Sequence, residues 1–84
     1  MGYRKIIKIT PLDDMLLLVK FETGESKILD MKPYMQMHKS FESLKDTKLF
    51  RSVRTEHFGR VIIWDKKIDI DGEEAWEFGQ PVEE

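Results

Sequence analysis

Ile9-Thr10-Pro11-Leu12-Asp13-Asp14-Met15-Leu16-Leu17-Leu18-Val19-Lys20-Phe21-Glu22-Thr23-Gly24-Glu25 contains two turns and the strand between them. Pro11 fixes its own φ, and the two aspartates can bond neighbouring backbone, so Pro11–Asp14 is a turn. Met15–Glu22 follows as a strand, apolar on both faces at its start and alternating at Val19-Lys20-Phe21-Glu22. A strand of that kind belongs in the middle of its sheet. Thr23-Gly24 closes a tight hairpin, because glycine takes positive φ without a steric cost.

The flanks complete an antiparallel meander. Upstream, Arg4–Thr10 carries Ile6, Ile7 and Ile9 among lysines and reads as a strand. Downstream, Glu25–Asp30 alternates around Ile28. Lys32 precedes a proline and is extended, and Pro33 suits the start of a short helix over Pro33–Met37. His38–Ser40 is expected as loop. Asp46 is a candidate N-cap for a second helix over Thr47–Val53, which shows Leu49, Phe50 and Val53 on one side. Phe58-Gly59 is a hairpin turn before a strongly β-prone strand, Arg60–Trp64. Ile68–Ile70 is a short edge segment, Asp71–Phe78 a final helical turn, and residues 79–84 a flexible acidic tail.

The fold class is therefore α+β: a small, mostly antiparallel sheet, made of a three-strand meander plus a later strand pair, with two or three short helices. Residues 1–84 form one domain, in keeping with the length. The expected core is Ile7, Ile9, Leu17, Val19, Phe21, Ile28, Phe41, Leu44, Leu49, Phe50, Val53, Val61, Ile63 and Trp64. Such a core leaves little volume for an enclosed catalytic pocket.

Composition narrows the function classes. No cysteine is present, which removes disulfides, zinc-thiolate sites and thiol nucleophiles. The longest apolar run, Met15–Val19, is far short of a membrane span. The first residues carry no secretory pattern, and a cytoplasmic location is expected. The net charge of −2 hides an asymmetry: residues 1–67 hold 14 basic and nine acidic side chains, whereas residues 68–84 hold seven acidic and none basic. Either the two parts balance within the molecule, or they present distinct faces to a charged partner.

Catalytic patterns are weak, and no cofactor or metal is expected. His38 and His57 are far apart in sequence and sit in a loop and at a hairpin end. Asp69-Ile70-Asp71-Gly72 resembles part of a calcium loop, but the register that fits Gly72 puts Lys67 and Phe78 where carboxylates are required. The serines lack a nucleophile elbow, and no glycine loop could cradle phosphate. Two surfaces stand out instead. Met31, Tyr34, Met35 and Met37 cluster around the first helix, where methionine could fill core gaps or form an adaptable partner surface. Lys5, Lys8, Arg54 and Arg60, with Asp69 and Asp71, form a possible charged surface. Lys20, Lys27 and Arg51, with Tyr3 or Tyr34 beside them, could extend its basic part toward nucleic acid.

Four segments in order resemble the Domain of Unknown Function 2442 family, over about residues 5–78: the opening meander Ile9–Glu25; Ile28–Tyr34, a strand leading into a proline-started helix; Phe41–Val53; and the closing pair His57–Asp65 with Ile68–Asp71. Lys66-Lys67 departs from the more usual Asn-Gly-like turn. The resemblance implies a small prokaryotic α+β domain. Some members occur alone, some precede a helix-turn-helix domain, and some are encoded beside small partners resembling toxin–antitoxin pairs. No catalytic residues are established for the family, so none carry over. A protein-binding or regulatory module, antitoxin-like in one form, is the favoured expectation, acting on a protein partner as a monomer or weak homodimer. A nucleic-acid-associated regulator and a small ligand-binding domain or enzyme are the alternatives.

Overall fold

The computed structural model describes residues 4–82. Its architecture is α+β, with two antiparallel sheets and short helices. The first sheet comprises β1 (Ile6–Pro11), β2 (Leu16–Phe21), β3 (Ser26–Asp30) and β7 (Gln80–Pro81), in the order β1-β2-β3-β7. The second comprises β4 (Arg54–Glu56), β5 (Val61–Asp65) and β6 (Ile68–Asp71) in sequence order. Between the sheets in sequence come α1 (Lys32–Met37), a 3₁₀ segment (Lys39–Lys45) and α2 (Thr47–Arg51), while α3 (Gly72–Phe78) follows β6. No helix among the described residues is long and apolar enough to cross a membrane.

β2 is central, as its two-faced apolar start requires, with Leu17, Val19 and Phe21 fully buried. On the strands beside it the buried face differs from the expected one. A register irregularity between Ile6 and Lys8 turns Ile6 inward and leaves Ile7 52% exposed. Leu29, rather than Ile28, enters the core, and on β5 Ile62 is buried while Val61 and Ile63 are half-buried. A one-residue change of register exchanges every side chain between faces. Ile9, Leu49 and Val53 pack against the core from its margin.

The remaining corrections are local. β1 runs on through Pro11, so the turn is Leu12–Met15, with left-handed backbone at Asp14 and Met15. The expected loop after α1 is a 3₁₀ segment whose Phe41 and Leu44 are buried. Three residues complete a 3₁₀ turn, so this spacing stacks both side chains on one face. Part of the expected flexible tail is ordered: Gln80 and Pro81 pair with β3, and the Val82 N–H donates to the Ser26 carbonyl at 3.0 Å. Glu83, Glu84 and Tyr3 lie outside the described residues.

Gly59 joins the two sheets, and Gly72 ties the start of α3 to the entry of β5. The Ile6 N–H donates to the Gly59 carbonyl at 3.0 Å, and the Gly72 N–H to the Arg60 carbonyl at 2.7 Å. A Cβ on Gly59, whose φ is +81°, would lie 2.5 Å from the Ile6 carbonyl oxygen. The Trp64 indole N–H donates to the Phe50 carbonyl at 3.2 Å, tying β5 to α2.

Candidate functional site

Helix α1 is positioned by its entry. The Met31 N–H donates to the Met15 carbonyl at 2.9 Å, which carries Met31 into the core with no exposed surface. The Asp30 carboxylate accepts from the Lys32 N–H at 2.9 Å, and Lys32 Nζ ion-pairs with Asp30 and Asp14. The Asp30 hydrogen bond is the main reason that the Lys32 pKa is raised. One turn on, Tyr34 points inward against Phe41, with ring centroids 5.6 Å apart. Met37, three residues beyond Tyr34, is 63% exposed.

Helix α3 is capped by Asp71, whose carboxylate accepts from the Glu73 N–H at 2.9 Å. Ala75 faces the core, and Trp76 meets Phe21 edge-on at 5.0 Å. The Arg4 guanidinium and Lys27 ammonium lie 4.3 and 4.0 Å from the Trp76 ring centroid, close enough for cation–π attraction. Lys27 also donates to the Trp76 carbonyl, and Arg4 ion-pairs with Glu73 at 3.6 Å. Glu74 and Phe78, four residues apart, share the helix face turned toward α1.

Between α1 and α3 lies an open groove of about 340 Å³. Leu29 and Tyr34 contribute to its lining from the buried side, and Pro33, Met37 and Phe78 are its more exposed apolar members. Phe78 is 60% exposed. The Tyr34 hydroxyl donates to Glu74 Oε1 at 2.9 Å, bridging the two helices. Burial first, and then this hydrogen bond and the Glu74 charge, push the tyrosine pKa well above its ordinary value, so Tyr34 remains a neutral donor.

Of the four residues expected as a partner surface, Met37 alone is exposed. Met31 belongs to the core, Tyr34 retains 7% exposure, and Met35 packs against the core. Phe78 is the member that sequence reading passes over. The signal available for it is Glu74 and Phe78 at helical spacing, but the opposing wall comes from 40 residues away.

The charged candidates are spread over both sheets. Lys8 stands opposite Lys20 on β2. Lys5 adjoins Gly59, and the Arg60 carbonyl accepts from the Gly72 N–H at the start of α3. In the second sheet Arg54 and Asp69 both oppose Ile63, so opposite charges flank it, whereas two carboxylates, Glu56 and Asp71, both oppose Val61. Arg54 is also held by Glu56 at 2.8 Å. His38 ends α1 beside Phe41, with centroids 5.8 Å apart, whereas His57 lies in the β4–β5 turn. Among the described residues no three His, Cys, Asp or Glu side chains are grouped to hold a metal ion.

No curated protein and no solved structure matches the chain. One family model, described as "Protein of unknown function (DUF2442)", matches residues 6–77, spanning β1 through β6 and nearly all of α3. That match covers most of the 84 residues, and the chain belongs to the DUF2442 family.

Proposed function

We propose that this chain is a small non-catalytic protein-binding module of the cytoplasm, regulatory and antitoxin-like in character, which docks a partner protein in the α1–α3 groove. The observation that carries this reading is the pair Met37 and Phe78, 63% and 60% exposed beside one apolar concavity. Large apolar side chains gathered at a concave surface are a feature of interaction sites. The Tyr34–Glu74 hydrogen bond supports the reading further, because it fixes the two walls relative to one another before any partner arrives.

Co-expression with the products of neighbouring genes tests the proposal. A partner should co-purify with the unaltered chain and be lost from a Met37→Ser/Phe78→Ser double variant whose thermal unfolding is unchanged. A chain that captures no neighbour product, or a variant that captures it equally well, overturns the reading.

A second reading, a nucleic-acid-associated regulator, is favoured by one observation. Lys8 and Lys20 face each other in register, and neither forms an ion pair among the described residues. Like charges placed opposite one another destabilise a sheet unless an anion offsets them. Binding to duplex or single strands that is absent even at about 50 mM salt removes this reading, because phosphate contacts strengthen as salt falls.

A further inference from the structure

The groove is apolar in shape but not electrically neutral. Asp30 and Glu74 are the two ionisable carboxylates lining it, and no basic side chain does so. They differ in their surroundings. Asp30 is matched by the Lys32 ammonium at 3.1 Å and by the Lys32 N–H. Glu74 is half-buried, and its hydrogen bond comes from the Tyr34 hydroxyl, a neutral donor. The other carboxylates of α3 do not share this position: Glu73 is engaged by Arg4, and Glu77 is exposed on the last turn, where the helix has no basic residue.

A half-buried carboxylate beside apolar walls is poorly solvated, and a neutral hydroxyl offsets only part of its charge. A cation brought to it by a partner would complete the pair while the partner's own apolar surface covered Met37 and Phe78. Arginine or lysine can do both, since each carries an apolar stem beneath its charge. An acidic segment would instead meet the Asp30 and Glu74 carboxylates.

Resting on the docking reading above, we infer that the occupant of the α1–α3 groove is a basic amphipathic segment of a protein partner, which seats an apolar side chain between Met37 and Phe78 and an Arg or Lys side chain against the Glu74 carboxylate. The mode is that of an amphipathic segment laid in a groove, with apolar anchors giving affinity and the charge fixing its orientation.

Three blocked Leu/Ala peptides, identical except for flanking Arg, Gln or Glu, provide the test. Each is titrated into the full chain at about 50 mM salt, where charge contrast is large, with the Met37 methyl and Phe78 amide followed by NMR. The Arg peptide should move both signals and bind about ten-fold more tightly than the Gln peptide, as one charge-assisted hydrogen bond permits. The Glu peptide should be weakest. Glu74→Gln keeps an acceptor for Tyr34 and should abolish the Arg-over-Gln preference without weakening the Gln peptide. If that variant does not fold, the unaltered chain decides: the preference must shrink as salt rises. Equal binding of the three peptides at Met37 and Phe78, or a preference that survives Glu74→Gln or is indifferent to salt, overturns the basic-partner inference and leaves the groove standing. If none of the peptides moves Met37 or Phe78, the docking reading falls with it.

Discussion

Phe78 and Phe58 both stand in solvent, 60% and 84% exposed, but on opposite kinds of backbone. Phe78 closes a regular helix and adjoins Met37 across a groove. Phe58 rides a turn whose His57, Phe58 and Gly59 all have positive φ, at 55°, 58° and 81°. The left-handed region costs a non-glycine residue on the order of 1–2 kcal/mol. The turn is held in that shape by what lies beneath it, where Gly59 bonds β1 and Arg60 bonds the start of α3. Exposure alone therefore does not define a site. At Phe58 it accompanies a joint between the sheets; at Phe78 it accompanies a concavity with a fixed floor.

The largest effect should come from the turn. Gly59→Ala puts a Cβ 2.5 Å from the Ile6 carbonyl in a backbone region that side chains avoid. A loss of about 3 kcal/mol in urea unfolding is expected, combining left-handed strain with overpacking against backbone. A loss below about 1 kcal/mol, the scale of a tolerated glycine replacement, would mean that the joint is not rigid.

The groove floor should show itself through pH. The Tyr34 hydroxyl has a raised pKa in the fold, so an unfolding chain releases that proton first, near 10. Stability from this group is full below that pH and declines as pH rises toward the folded value, at up to about 1.4 kcal/mol per pH unit. Tyr34→Phe should cost about 1 kcal/mol at neutral pH through the lost hydrogen bond and flatten the alkaline decline. Lys32, whose pKa is raised by Asp30, adds a decline of the same sign to both proteins. An alkaline profile of Tyr34→Phe as steep as that of the unaltered chain would show that the Tyr34–Glu74 bridge is not formed in solution.

The two regions also differ in how much of each was legible in the sequence. The hairpins, the central place of β2 and the Asp46 cap are local, set by turn residues and by neighbours a few positions apart, and the Asp46 carboxylate does accept from the Lys48 N–H at 3.0 Å. The inward faces of β1, β3 and β5 were not legible. Ile6-Ile7, Ile28-Leu29 and Val61-Ile62-Ile63 place apolar side chains on both faces, and alternation cannot choose between them. A bulge and the pairing register make that choice. The groove was half legible: the methionine cluster marked α1 but left core and surface both open, and what places Met31 in the core is a backbone bond to Met15, 16 positions upstream. Phe78 stayed hidden because what makes it part of a site is Tyr34 on another helix.

The smallest stability effects separate the two phenylalanines most sharply. Asparagine tolerates left-handed backbone better than phenylalanine does, so Phe58→Asn should relieve strain and raise stability by about 0.5–1 kcal/mol. Phe78→Asn meets ordinary backbone at an exposed position and should stay within about 0.5 kcal/mol of the unaltered chain. Binding should run the other way. Phe78→Asn should abolish the peptide-induced shift at Met37, whereas Phe58→Asn should leave it intact, because the turn contributes nothing to the groove lining. Thermal unfolding paired with the same titration reads both quantities on each variant. If Phe58→Asn lost the Met37 shift while Phe78→Asn kept it, the strained turn would become the binding element and the groove a shallow gap between two helices.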